Sequence, residues 1–297
     1  MRPVPSEPEI LDFIDQVARF YPDDATGASV AQQRAWYDQL CRAFDPPPPA
    51  GLTWEDGTEA GIPVRRYRPA TLHHDAVVLY LHGGGFVVGS RDSHHAICAE
   101  LSAALGVALI AVDYRLAPEH RWPAPAEDCA AVLAALTGAG QSVILAGDSA
   151  GGQLAAGVAL GAERGALRGL ALIYPTLGGD TCAGSYVEMA EAPGLTTADV
   201  LYYRAILAAP ADDPVANPLL AADLSHLPPT FVTAARFDPL RDDAAAFASR
   251  LIAADVACSY RCEPQMVHGW LRARHMSPGA RAGFAALVHG MAGFLTP

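Results

Sequence analysis

The sequence predicts an α/β chain: a mostly parallel central sheet with helices on both faces, and a helical cap. Three observations lead there. Apolar strand-like runs alternate with helical patterns along most of the chain, as they do where crossover helices join parallel strands. The chain has 297 residues, 51% hydrophobic and 18% charged, which suits one large packed domain with a cap, or two domains. And AVVLYL, a near-continuous apolar run, breaks abruptly into His82-Gly83-Gly84-Gly85, a soft loop at the end of a buried strand.

The elements follow in order. Two stretches with helical apolar spacing, Glu7–Phe20 and Ser29–Phe44, end at Asp45 and four prolines, where no helix continues. Residues 1–45 therefore read as a cap segment attached to a main domain of residues 46–297. LTWEDG and IPVRRYRP look like a paired edge hairpin around Gly57–Gly61. Strand candidates then cover 76–81, 107–113, 142–147, 170–175, 230–235 and 256–261. Helices fit His94–Leu105, Ala126–Leu136, Ser149–Arg164, Leu240–Ala253 and Pro278–Phe294. Residues 176–222 break the rhythm with Gly, Pro and Tyr and carry one helix near Thr197–Leu207, a natural second cap segment.

Net charge is −12, with no basic block, which argues against nucleic acid or an anionic membrane surface as a partner. The start MRPVPSEPEILDFIDQ lacks the basic and apolar regions of a secretory signal, and no apolar run reaches the length of a spanning helix. A cytoplasmic location is expected. The six cysteines show no C-x-x-C spacing, so buried free thiols are expected rather than disulfides. Cys258 and Cys262 alone are too few ligands for a metal site.

SVILAGDSAGGQLAAGVAL places Gly147-Asp148-Ser149-Ala150-Gly151 between a strand and a helix. In that context G-x-S-x-G marks a nucleophilic serine on a strained turn, with small neighbours making room for it. Attack by a serine on an acyl carbon creates a tetrahedral oxyanion, which needs preorganised N–H donors. Ala150 can supply one. Gly83, Gly84 and Gly85 can bring others close, because no side chain stands between backbone and substrate. A dinucleotide loop would need G-x-G-x-x-G, which GGGFVVG does not match.

A serine nucleophile also needs a histidine base and a carboxylate to orient it. Of ten histidines, His226, His268, His275 and His289 follow Ser149. His268, in QMVHGW beyond the last strand candidate, is the one expected to overhang the sheet. Asp238 directly follows TFVTAARF and precedes Pro239, so it is the expected orienter. Asp242 and Asp243 fall in the next helix's first turn, where acidic residues are favoured by the dipole. His82 is expected to brace the glycine loop by hydrogen bonding.

These motifs, with Asp113-Tyr114-Arg115-Leu116-Ala117-Pro118-Glu119-His120 and Asp238-Pro239-Leu240-Arg241-Asp242, resemble the hormone-sensitive-lipase family of α/β-hydrolases, the bacterial family IV carboxylesterases. The resemblance spans about residues 60–295. It implies an α/β-hydrolase fold with a Ser149, Asp238 and His268 triad, and an oxyanion hole from the N–H groups of Gly84, Gly85 and Ala150. It also implies an N-terminal helical cap, and neither metal nor organic cofactor. Arg236 departs from the acidic residue common there. The DYRLAPEH segment is expected to brace the loops, with Arg115, Glu119 and Asp148 as candidate ion-pair partners, and Asp148 and Gly83 supporting the site. The expected reaction is hydrolysis of short- to medium-chain acyl esters of small molecules through an acyl-enzyme. Phe13, Phe20, Trp36, Tyr37, Tyr186, Tyr202 and Tyr203 are expected to wall the acyl pocket. Amide, carbamate or lactone hydrolysis by the same residues is the alternative, and a non-catalytic small-ligand receptor is the reading from another class. A homodimer is left open.

Overall fold

The computed structural model describes residues 4–22 and 25–296; residues 1–3 and 23–24 of the first cap segment, and Pro297, lie outside it. Eight strands form one sheet: β1 (Thr53–Glu59), β2 (Ile62–Arg68), β3 (Val77–Leu81), β4 (Ala108–Val112), β5 (Val143–Asp148), β6 (Leu167–Ile173), β7 (Thr230–Phe237) and β8 (Cys258–Val267). Their order is β1-β2-β4-β3-β5-β6-β7-β8. The β1–β2 and β2–β4 pairs are antiparallel, and all other pairs are parallel. Strand order reverses between β3 and β5, with β4 to one side and β6 to β8 on the other. In an open parallel sheet the strand ends at such a reversal leave a crevice for ligand.

Period-two alternation gives the sheet two apolar faces. On β3, Val77, Leu79 and Leu81 join one core with Leu133 of α4 (Ala124–Gly138), Leu154 of α5 (Ala150–Leu160) and Phe247 of α8 (Arg241–Ala253). Val78 and Tyr80 face a second core, with Leu101 of α3 (His95–Leu105) and Leu287 of α9 (Pro278–Gly293). Helix α1 (Pro8–Ala18) contributes Ile10 and Phe13 to that second core. The chain before α1 is pinned as well: Ser6 N–H donates to Gln265 Oε1 at 2.7 Å, and Gly279 N–H donates to Glu7 Oε1 at 3.0 Å. Helix α2 (Val30–Ala43) follows, capped by the Ser29 hydroxyl.

Several expected boundaries shift. The hairpin turns at Ala60-Gly61, while Gly57 lies inside β1 opposite Val64. Because β2 also pairs with β4, β1 alone of the two hairpin strands lies at a sheet edge. Strand β6 begins three residues before the expected 170. Strand β8 runs six residues past the expected 261, so His268 leaves it directly. Its alternation was hidden because much of this outermost strand faces solvent, with buried Glu263 held by Arg261 at 2.7 Å.

Between β6 and β7 the chain makes the insertion, with α6 (Ser185–Glu188) and α7 (Thr197–Leu207), yet the two strands remain neighbours, Leu170 opposite Thr230. Thr196 and Asp199 form a reciprocal cap on α7. All six cysteines are free: Cys41, Cys98 and Cys129 are buried, Cys258 and Cys262 are partly exposed, and Cys182 is exposed. No helix among the described residues is long and apolar enough to cross a membrane.

Phe13 is 3% exposed, so α1 should unfold with the sheet. Phe13→Ala is expected to lower the unfolding free energy by about 3 kcal/mol, read from urea denaturation. A cost near zero would mean that α1 is only loosely attached.

Candidate active site

Ser149 joins β5 to α5 with φ 55° and ψ −119°, a conformation that costs a non-glycine residue on the order of 1–3 kcal/mol. Its surroundings hold it there. Ser149 N–H donates to Ile173 O at 2.9 Å, and its carbonyl accepts from Gln153 N–H at 3.1 Å. A Cβ on Gly151 would collide with the backbone oxygens of Leu81 and His82. The missing side chain therefore lets α5 begin against the end of β3.

Asp238 and His268 arrive from the ends of β7 and β8. Asp238 is fully buried; its Oδ1 accepts from Leu240 N–H at 2.8 Å, and its Oδ2 lies 2.7 Å from His268 Nδ1. A carboxylate only accepts, so Nδ1 carries the proton. In the neutral ring Nε2 then accepts from the Ser149 hydroxyl, at 2.9 Å. The three side chains predicted from chain order meet in one unbroken line.

The glycine loop is secured nearly atom by atom. Gly83 N–H donates to Asp148 Oδ1 at 2.9 Å, and the Gly84 carbonyl accepts from the N–H groups of Val87 and Val88 at 3.1 and 2.9 Å. Phe86 O accepts from Ala117 N–H at 2.9 Å, Val87 O from Arg34 Nε at 2.8 Å, and His82 O from the Tyr114 hydroxyl at 2.6 Å. Among the described residues nothing accepts from the N–H of Gly84, Gly85 or Ala150. Gly84 and Gly85 have φ of 127° and 59°, values that a side chain would strain.

Residues 78–272 match a family model described as alpha/beta hydrolase fold. The chain belongs to that family. It is 38% identical to the carboxylesterase NlhH of Mycobacterium tuberculosis over 237 residues, 74% of each chain. With an ethyl acetate hydrolase of Pseudomonas putida it shares 36% identity over 81% of this chain and 80% of the relative. A solved esterase of the bacterial hormone-sensitive lipase family superposes with a TM-score of 0.87 at 26% identity, covering 98% of this chain and 99% of the other. This α/β-hydrolase is a carboxylic ester hydrolase of the hormone-sensitive-lipase type.

The other expected residues of the hydrolase are placed as follows. His226 Nε2 lies 3.0 Å from Leu160 O, His275 pairs with Glu100 at 2.9 Å, and His289 is exposed on α9; none reaches Ser149. Asp242 and Asp243 hold the insertion, accepting from the N–H groups of Ser185 (2.8 Å) and Leu177 (2.7 Å). Arg115 and Glu119 each find an ionic partner and Asp148 faces a histidine, but none of the three meets another. Arg115 takes Asp128 at 2.8 Å, Glu119 takes Arg34 at 2.7 Å, and Asp148 takes His94 at 3.3 Å. Among the expected pocket aromatics, Phe13 lies in the core beneath the sheet and Tyr186 donates to Asp243 at 3.1 Å. The Tyr203 ring does lie against Gly85: a Cβ there would come within 2.5 Å of it.

The sequence reading missed what surrounds Asp148. Tyr80 donates to its Oδ1 at 2.9 Å, Tyr174 to its Oδ2 at 3.4 Å, and His94 Nε2 faces both oxygens. Burial alone would push this carboxyl up. The charges and hydrogen bonds of His94, Tyr80 and Arg272 outweigh burial and hold it well below the usual carboxylate range. His82 stacks on Tyr114 with ring centroids 4.2 Å apart, and its Nδ1–H donates to Gly83 O at 2.9 Å. Burial chiefly, and His94 secondarily, push the His82 imidazole down to about 3.

Two outcomes follow. Ser149→Gly relieves the positive φ while Ser149→Ala does not, so the glycine variant should be more stable by roughly 1 kcal/mol; equal melting temperatures would mean the turn carries no strain. Below its ordinary value of 6.5, His82 takes up a proton in the unfolded chain but not in the native one, so stability falls with pH between about 6.5 and 3. From pH 7 to 4.5 this should cost on the order of 2 kcal/mol. Urea unfolding of wild type and His82→Gln should show a flatter acid slope in the variant; identical slopes would refute the assignment.

Proposed function

We propose that Ser149, His268 and Asp238 form a catalytic triad that hydrolyses short- to medium-chain acyl esters through an acyl-enzyme. The observation that carries this reading is the line from Ser149 Oγ through His268 to buried Asp238, at 2.9 and 2.7 Å. It lies beside a loop whose Gly84 and Gly85 N–H groups have no acceptor among the described residues. In the first step His268 Nε2 takes the Ser149 proton as Oγ attacks the ester carbonyl, and Asp238 holds the imidazolium that forms. The oxyanion is received by the N–H groups of Gly84, Gly85 and Ala150. His268 then returns the proton to the departing alkoxide. Water, deprotonated by the same ring, attacks the acyl carbon; the ring hands that proton to Ser149 Oγ as its bond to the acyl group breaks, and the acid leaves.

Residues 1–45 and 176–222 act as a two-part cap in this reading. Support comes from the bond between Gln33 Nε2 and the Tyr202 hydroxyl at 2.7 Å, which ties α2 to α7, and from Tyr203 over Gly85. A cap closing on the loop favours modest acyl groups, in keeping with the ethyl acetate hydrolase among the relatives.

A fluorophosphonate probe should label the wild type at Ser149 and leave Ser149→Ala unlabelled. The variant should have no measurable turnover of short-chain p-nitrophenyl esters while keeping its circular dichroism. Labelling elsewhere, or retained turnover, would overturn the assignment.

A further inference from the structure

Arg272 lies in the short 3₁₀ turn Trp270–His275 that follows His268, and it is 7% exposed. A buried guanidinium ordinarily rests on a carboxylate, since an unpaired buried charge is costly. Among the described residues, no carboxylate is in ion-pair contact with it. Its Nη1 donates to Ser93 O at 3.0 Å, and its Nη2 donates to the Tyr37 hydroxyl at 3.1 Å. The guanidinium carbon stands 5.3 Å from the centre of the Tyr37 ring, within cation–π range. The same Nη2 is 3.5 Å from His94 Nε2. His94 is 1% exposed and in turn faces Asp148 at 3.3 Å, whose Oδ1 accepts from Gly83 N–H.

A run of adjoining polar groups therefore leads from Tyr37 on α2 through Arg272 to His94, whose Nε2 meets both Arg272 and Asp148, and from Asp148 to the first glycine of the loop. Helix α2 meets the loop's other end too. Arg34, three residues before Tyr37 and so on the same helix face, donates to Val87 O.

We propose that Arg272 is a positioning residue of this reaction: wedged between Tyr37 and His94, it fixes Asp148, and through it the Gly83 end of the loop whose N–H groups receive the oxyanion. This rests on the triad and oxyanion assignment above. A loop displaced by a fraction of an ångström still admits the ester but no longer matches the tetrahedral adduct. The loss therefore falls on kcat and on affinity for transition-state analogues rather than on KM.

The test compares wild type with Arg272→Met, Arg272→Lys and Tyr37→Phe, using a short-chain ester and a trifluoromethyl ketone analogue that forms an oxyanion adduct on serine. Arg272→Met should lower kcat on the order of ten-fold, less than loss of an oxyanion donor itself, with KM nearly unchanged. The inhibition constant of the ketone should rise by the same factor. Arg272→Lys should recover part of the loss, and Tyr37→Phe should show a smaller loss of the same pattern. An unchanged kcat and inhibition constant in folded Arg272→Met, or a change in KM alone, would overturn the proposal. If Arg272→Met does not fold, wild-type constants in both Arg272→Lys and Tyr37→Phe would overturn it instead. Fluorophosphonate labelling separates the two readings. A wild type that resists labelling refutes the oxyanion assignment together with this role, whereas a labelled wild type beside unaltered variants refutes the role of Arg272 alone.

Discussion

Only a hydrogen atom fits on Gly151 between the first turn of α5 and the carbonyl groups closing β3. That close approach is the constraint on which the rest of the site depends. It lets the start of α5 abut the end of the neighbouring strand, so Ala150 N–H and the glycine loop belong to one neighbourhood without a long connection. Ser149 then has to turn through a positive φ, and the hydrogen bonds around it are what hold a backbone the residue would not choose alone. A methyl group at Gly151 would push α5 away from β3 and dismantle this arrangement from behind.

Much of this was legible because the informative patterns are local. A buried strand followed by a glycine run, a serine between a strand and an alanine-rich helix, and an aspartate and a histidine after later strands each need only a few neighbouring residues to be read. The parallel sheet then brings those strand ends to one edge. Segments with mixed exposure were harder. The outer half-exposed strand β8 carries Arg261, Glu263 and Pro264 within its length, so its pattern faded six residues before the strand did.

Asp148 was legible as a support of the glycine loop, but its side-chain partners were not. Its partners, Tyr80, His94, Tyr174 and, through His94, Arg272, are scattered over nearly two hundred positions, and no spacing rule links them. Only the topology places them together. The same holds for Arg115 and Glu119, whose charges were recognised but whose partners, Asp128 and Arg34, belong to two different helices, α4 and α2. Sequence names the ionic groups; packing decides who neutralises whom. Aromatic residues taught the same lesson, since Phe13 serves the sheet's core and Tyr203 the loop, although nothing in composition separates them.

The insertion between β6 and β7 leaves and re-enters the sheet at adjacent strands whose pairing it does not interrupt. Its length and content are thus decoupled from the spacing of the reacting groups, which is set by the ladder beneath. An excursion of another length could leave and rejoin the sheet at the same two strands without altering the register of the ladder between them.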